Sequence, residues 1–395
     1  MLKNVIKVLT SKMIASGMYF ATNLMVINSI SVEDYANFSL VIVMLPLIAF
    51  LCNAGTNKSG LLLTKRDELE VDAFVTLKVV YISIVTIVAL IIGSYFSLGL
   101  FIVVSGISLA TVELGLTALQ IQERFRNYSI LNGFRNIIWG GITVFMFYFS
   151  DISIDKALNA LVFSSLLSAV LSFFFIFKKI RLSYIFEKKP EFTSFLRTTN
   201  VFFATELSLQ VMMRMEAWIL AIFIKYRIVE STELAIFNAA FMFAFVLPMI
   251  TNSVYSVIMP SLLNKESNKA DEIYEKISNN KFLIFSFVGT AAIIGALAIN
   301  VLLPADYKSS TIPFVLICVA ISVSFITNVI QISIIKSGNE TFVKSITVWQ
   351  MMISVPISFL CIYFGGAIGG AFSILITRIL GFVRTNIVVK SLYAK

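Results

Sequence analysis

Glu206, Gln210 and Arg214 follow one another at steps of four inside an otherwise apolar stretch. On an α-helix each step turns by about 40°, so the three share a face, with Arg214 about 12 Å along the axis from Glu206. Glu216 lies about 200° around from Arg214, and Asn200 sits near the start of the same stretch. Other apolar runs carry Glu113 and Arg378, and Lys58 stands in the polar segment Asn53-Ala54-Gly55-Thr56-Asn57-Lys58-Ser59-Gly60. Several polar groups on one helix face can line a wet cavity, and an arginine among apolar residues can hold a phosphate or an acidic sugar. The same residues can instead form a ladder of ion pairs and hydrogen bonds between helices. Arg378 can be a clamp or snorkel toward water, and Lys58 can be an ordinary loop lysine. Both readings stay open at this level.

Much other chemistry is excluded. The 395 residues contain no histidine, so no His-based zinc site, Ser-His-Asp triad, Cys-His pair or His proton relay can form. Cys52, Cys318 and Cys361 are far apart in apolar surroundings and form no CxxC, so they read as small buried hydrophobes and not as a metal or redox site.

The elements that would position these residues follow from composition. Hydrophobic residues make up 58% and charged residues 13%, against about 45–50% and about 25% in soluble domains. A spanning helix needs about 20 apolar residues. The chain therefore reads as an all-α, polytopic membrane protein with short connections. A formal net charge of +9 then points to cytoplasmic loops and anionic lipid, not to nucleic acid. The start, with Lys3, Lys7 and Lys12 before an apolar run, is predicted to be a first span and not a cleaved signal.

Apolar blocks predict about twelve transmembrane helices, near 13–30, 35–52, 73–96, 98–121, 128–149, 156–177, 199–223, 234–262, 282–303, 312–335, 342–363 and 366–389. The thinnest separation is Phe96-Ser97-Leu98-Gly99. With Arg135, Lys156, Lys344 and Arg384 counted with the connections their spans adjoin, 24 of the 31 Lys and Arg fall on one side of these spans and four on the other, and Lys78, Arg214 and Arg378 remain within them. That bias predicts cytoplasmic N- and C-termini. The basic stretch 178–198 is expected to be a cytoplasmic linker. It would divide an N-terminal lobe, 1–177, from a C-terminal lobe, 199–395.

Two weak internal matches support such lobes. Tyr19-Phe20-Ala21-Thr22-Asn23-Leu24 in the first span resembles Phe202-Phe203-Ala204-Thr205-Glu206-Leu207 in the seventh, and Asp34 to Phe38 resembles Glu233 to Phe237 at the openings of the second and eighth. Their order favours parallel repeats. Pro46, Pro248, Pro260 and Pro356 interrupt spans, as bends at gates and cavities require. Gly365-Gly366-Ala367-Ile368-Gly369-Gly370-Ala371 permits close helix approach but lacks the context of a phosphate-binding loop. No motif for group transfer and no long loop with paired carboxylates stands out, so transport is expected and catalysis is not.

Several stretches resemble a known family. These are Arg214-Met215-Glu216-Ala217-Trp218-Ile219-Leu220, then Glu233 to Ala240 with Met259-Pro260-Ser261-Leu262. In the first half the match is Gln120-Ile121-Gln122-Glu123-Arg124-Phe125-Arg126, and late in the chain Gly338-Asn339 and Gly365 to Ala371. Together they look like the polysaccharide flippases, O-antigen type, of the multidrug/oligosaccharidyl-lipid/polysaccharide exporter superfamily. Glu216 stands where that family more often has Asp.

The resemblance implies two six-helix lobes around a central cavity in a bacterial inner membrane. It implies alternating-access flipping of an undecaprenyl-diphosphate-linked oligosaccharide from the cytoplasmic to the periplasmic leaflet. Expected partners are this lipid-linked substrate, membrane lipids and other polysaccharide assembly proteins. A diphosphate would seek Arg214, Arg378 and Lys58. Glu206, Glu216 and Glu113 would take H+ or Na+ in a coupled cycle, with Gln210 and Asn200 lining the polar path. No cofactor or metal is implied.

A multidrug or small-molecule antiporter of the same superfamily is the alternative; it predicts an acidic first-lobe pocket, where only Glu113 qualifies. A major-facilitator transporter lacks its basic signature in 53–72. A membrane-embedded polysaccharide polymerase or acyltransferase would be expected to show long outer loops or a catalytic His.

Overall fold

The computed structural model describes residues 2–95, 100–181, 183–184, 189–248, 281–336 and 338–393. These are helical, with no strand among the described residues. Thirteen α-helices are described: α1 (Leu2–Ser29), α2 (Val32–Asn53), α3 (Thr56–Lys65), α4 (Val71–Tyr95), α5 (Leu100–Ile121), α6 (Phe125–Phe149), α7 (Ile154–Ile176), α8 (Lys189–Met212), α9 (Met215–Lys225), α10 (Ser231–Ala244), α11 (Lys281–Leu302), α12 (Thr311–Lys336) and α13 (Glu340–Tyr393). Among the described residues seven helices are long and apolar enough to cross a membrane, or eight if the bent pair α8–α9 is one span. The expected turn at Phe96–Gly99, the end of the eighth span with Pro260, and the basic residues Lys265, Lys269 and Lys276 lie outside the described residues.

Local signals start the helices. Ser31 caps α2: its Oγ accepts from the Asp34 N–H at 3.1 Å, satisfying one orphan donor of the first turn, and its hydroxyl donates to Asp34 Oδ2 at 2.8 Å. Ser153 is extended and its Oγ accepts from the Lys156 N–H at the start of α7.

The chain forms two compact units. The first takes in 2–25 and 41–207, the second 26–40, 208–248 and the described residues beyond 281. The border thus departs from a simple division at 178–198. Residues 26–40 pack with the second unit, where the Asn238 amide donates to Ser39 Oγ at 2.7 Å and the Tyr35 ring meets Tyr307 edge-on. The stretch from Lys189 is already helical, so half of the predicted linker is the first part of α8.

In the first unit α7 presents a buried serine stripe, Ser164, Ser168 and Ser172, and packs against α5. The Ser172 hydroxyl donates to the Thr111 carbonyl at 2.7 Å. Small residues let the backbones approach, and the hydroxyls satisfy themselves on carbonyls where no water is at hand. Large apolar side chains instead point outward, Phe145, Phe149, Phe174 and Val170 among them. Outward apolar faces are what a lipid solvent requires.

In the second unit α13 is a hairpin without a loop. Gly366 breaks it at φ 49°. The two arms run antiparallel: Ser358 Oγ lies 3.1 Å from Ser373 Oγ, and the Gln350 amide donates to the Thr377 carbonyl at 2.7 Å. Gly369 lies against the Cys361 carbonyl, so the glycine run provides the close approach expected of it. The second arm starts at Ala367, whose N–H donates to Glu233 Oε2 at 2.7 Å. A carboxylate at a helix start meets both an orphan donor and the positive end of the dipole. Glu233→Ala is therefore expected to cost about 1–2 kcal/mol, read as a lowered Tm of the purified protein, with Glu233→Gln less affected.

Pro46 lies inside α2 and Pro356 inside α13, and both helices continue through them. Before Pro248 the helix is interrupted as expected: α10 ends at Ala244 and Phe245 is a turn. Other breaks fall away from proline, at Ala54-Gly55, at Met213-Arg214 and at Gly366.

Candidate functional site

In the first unit the chain turns sharply after Asn53. Ala54 and Gly55 both have positive φ, 43° and 78°. Positive φ is easy for glycine and unfavourable for other residues. α2 ends there and α3 begins at Thr56, so the polar segment read from sequence as an exit is the junction of two helices. The backbone of Phe202 and Phe203 packs directly on Gly55, and the Phe203 ring stacks on Phe50.

The junction aims Asn53 and Asn57 at Glu113 of α5. The Asn53 amide donates to Glu113 Oε2, and the Asn57 Nδ2 donates to the same oxygen at 3.3 Å. On its other side Asn57 Oδ1 accepts from the Lys78 ammonium of α4. A carboxamide is suited to this place because it donates from one atom and accepts at another, linking a carboxylate to an ammonium. Lys78 is eight residues into α4, and Glu113 is nine from the end of α5, so both lie about 11–12 Å from the same end of the antiparallel pair. Lys78 is 0% exposed, whereas Glu113 is exposed. An exposed carboxylate at that depth belongs beside water and not beside lipid.

Further charges surround the pair. Lys58 Nζ lies 3.6 Å from Glu206 Oε1, with side chains 41% and 18% exposed. A half-exposed pair of this kind contributes little to stability; its interest is placement. Arg135 on α6 holds Asn136 Oδ1 at 3.1–3.2 Å and exerts a Coulombic pull on Glu113. Thr199 and Ser59 share a buried hydrogen bond of 2.8 Å, tying α8 to α3.

The second unit holds a different set. Glu216, in the first turn of α9, is 1% exposed. Its Oε1 accepts from Ser358 at 3.1 Å, and its Oε2 has no hydrogen-bond partner. Arg378, on the second arm of α13, stands within Coulombic reach of Glu216. It makes no ion pair or side-chain hydrogen bond among the described residues. Arg214 donates from Nε to Gln210 Oε1 at 3.3 Å.

The predicted face Glu206, Gln210, Arg214 is therefore divided. The helix breaks after Met212 and α9 leaves α8 with a 49° bend, so Arg214 heads a new helix instead of extending the old face. Glu206 belongs to the first unit and pairs with Lys58; Gln210 and Arg214 belong to the second and pair with each other. Asn200 is exposed on α8 and joins neither group. Lys78, Asn53, Asn57 and Arg135 belong to the site although their spacing in the sequence does not mark them as a group. Lys78 had a signal, a lone lysine within an apolar run; Arg135 did not, since it reads as part of a basic connection but lies eleven residues into α6. No group of three or more His, Cys, Asp and Glu that could hold a metal ion is found among the described residues.

Comparison with known proteins rests on structure. No family model matches the sequence, and no curated protein does. The fold is similar along its whole length to solved transporters. One is an inward-facing multidrug resistance MATE family transporter of the MOP superfamily, at TM-score 0.72 and 12% identity, covering 99% of each chain. A second is an outward-facing transporter of the same description, at TM-score 0.71 and 11% identity, covering 99% of this chain and 96% of that one. A third is a MOP superfamily transporter from Pyrococcus furiosus, described as having a binding pocket of reversed polarity, at TM-score 0.65 and 13% identity, with 99% and 96% covered. The all-helical, multi-pass architecture is thus that of the MATE transporters.

Proposed function

We propose that this chain is an alternating-access transporter whose cargo carries negative charge, with a lipid-diphosphate-linked oligosaccharide as the reading that best fits its ionisable residues. The observation that carries it is the balance of charge within each unit, where cations outnumber carboxylates. In the first unit Lys58 pairs with Glu206 and Lys78 is linked to Glu113 through Asn57, with Arg135 on α6 as a further cation; in the second, Arg378 stands near Glu216 and Arg214 is held by Gln210. Arg378, which spends no donor on a side-chain partner among the described residues, is suited to a diphosphate oxygen. Fold likeness to transporters solved in inward- and outward-facing forms supports alternating access. The sequence resemblance to O-antigen type flippases supports the lipid-linked cargo and an inner-membrane location.

Small-molecule antiport is the second reading, and the structural comparisons favour it over the first, since multidrug transporters are among the similar structures. Against it stands the charge: a pocket for cationic drugs calls for surplus carboxylate. The similar structure from Pyrococcus furiosus, described as having a binding pocket of reversed polarity that suggests a different function, supports the idea that this fold is not limited to one kind of pocket.

Deletion in a polysaccharide-producing strain separates the readings. Loss of surface polymer with lipid-linked repeat units held on the cytoplasmic leaflet is expected for the flippase. Unchanged polymer with raised sensitivity to cationic drugs supports antiport. Arg378→Ala and Arg214→Ala are each expected to lower polymer export at least tenfold at normal protein levels. Normal export by both variants removes the anion-contact assignment.

A further inference from the structure

Asn57 stands between two opposite charges and keeps them from meeting. Its Oδ1 accepts from the Lys78 ammonium, and on the far side of the amide its Nδ2 donates to Glu113 Oε2 at 3.3 Å. No direct ion pair joins Lys78 and Glu113 among the described residues. Both charges are short of partners. An ammonium carries three donors, and Lys78, fully buried, has Asn57 as its one hydrogen-bond partner among the described residues. Glu113 accepts from Asn53 and Asn57 at Oε2, which leaves Oε1 open among the described residues. A buried charge is costly unless it is paired, and Coulomb attraction grows as the separation falls. Only the width of one carboxamide separates the two groups, and the lysine stem is long and flexible. Asn57 is half-buried beside the exposed Glu113, so it can be reached from the wet side that this carboxylate implies.

We propose that Asn57 is a removable spacer: while its amide is in place the charges stay apart, and when it turns away the Lys78 ammonium closes on Glu113 Oε1 as a direct ion pair. The group that displaces it is a cargo oxygen, hydroxyl or phosphate, which competes with Glu113 for the Asn57 Nδ2 donor. Asn53, itself buried, goes on holding the carboxylate at Oε2. Lys58 is engaged with Glu206 at 3.6 Å and Arg135 with Asn136, so neither takes the place of Lys78. Arrival of cargo is thereby converted into a new bond between α4 and α5. The inference deepens the transport reading, on which its cargo step rests; the spacer itself is read on purified protein without cargo.

The test is thermal unfolding of the full-length protein in detergent. Asn57→Ala removes the spacer and is expected to unfold at or above the wild-type temperature, since the ion pair replaces the lost hydrogen bonds. Unfolding several degrees lower overturns the proposal. The second measurement is the coupling between Lys78→Met and Glu113→Gln, the shift of the double variant beyond the sum of the single ones. It is expected to at least double in the Asn57→Ala background. Coupling that falls or stays unchanged there overturns the proposal, because Asn57 would then be a link and not a spacer. Asn57→Ser replaces Asn57→Ala if the latter is not recovered, and failure to recover either overturns the proposal. Asn57→Ala should also lower transport at least about tenfold at normal protein levels, read as surface polymer or as cationic-drug resistance according to which the deletion strain loses. Undiminished transport overturns the switch. A deletion strain that loses drug resistance and keeps its polymer removes the flippase reading and leaves the unfolding measurements to decide the spacer.

Discussion

Gly55→Val is expected to remove most of the folded protein from the membrane. Gly55 has φ 78°, where a β-branched residue is a genuine outlier and the left-handed conformation costs roughly 1–2 kcal/mol. A Cβ at this position would also sit 2.7 Å from the Phe202 carbonyl carbon and 2.9 Å from Phe203 Cα. Those atoms are backbone of α8 and cannot swing aside as a side chain can, and overpacking of this kind adds about 1–3 kcal/mol. Together the two effects reach about 2–5 kcal/mol, a large share of a typical folding free energy. Protein level in isolated membranes and the Tm of whatever is purified measure the effect. Gly141→Ala is the control: it lies within α6, where nothing approaches an added Cβ within 4 Å, and it should be neutral or slightly stabilising. A Gly55→Val protein with wild-type level and Tm would mean that α3 and α8 do not pack as described.

The second large effect is expected at Glu113 and Lys78. Glu113→Gln keeps the volume but removes the charge that faces the buried ammonium. Breaking a buried pair by removing one partner typically costs about 3–5 kcal/mol, because the remaining charge has no compensation. The charge left behind sets the place in that range: Glu113→Gln leaves the fully buried Lys78 ammonium and belongs at the upper end, whereas Lys78→Met leaves the exposed Glu113 carboxylate and belongs at the lower end. The double variant Lys78→Met, Glu113→Gln leaves no stranded charge. It should unfold at a higher temperature than the sum of the two single losses predicts, with a coupling of at least about 1 kcal/mol. Transport should not return with stability. Recovery of both Tm and export in the double variant would show that the pair only holds the helices together; additive losses would show that Asn57 does not link them.

The sequence was a good guide to some features and not to others, for reasons visible in particular residues. Composition and apolar runs lead to an all-helical, multi-pass chain because the lipid solvent allows little else. The run from Gly365 to Ala371 was legible as a close helix approach because spacing alone shows it. The break at Met213-Arg214 was not legible. It contains neither Gly nor Pro, and nothing local distinguishes it from a continuous helix face. Prolines are uneven guides: α10 stops at Ala244, just before Pro248, whereas Pro46 and Pro356 leave their helices unbroken, since a lost backbone hydrogen bond does not by itself end a helix. Lys58 and Glu206 each stand out in the sequence, but their pairing joins residues 148 apart in the chain and has no local signal. Lys78 was visible as a charge among apolar residues, but its partner Asn57 was hidden in a segment that reads as a loop.

The absence of a connecting loop in α13 bears on how this protein can be handled in the laboratory. Gly366 alone reverses the chain, with Glu233 seated against the first free amide of the returning arm. An affinity tag or fluorescent reporter placed there would have to displace that carboxylate and part the Ser358–Ser373 contact below it. The stretch between Tyr226 and Glu230 lies outside any α-helix and is mostly exposed; an insertion after Ile228, whose N–H closes the preceding helix on the Phe223 carbonyl, would leave Glu233 and the Ser358–Ser373 contact in place.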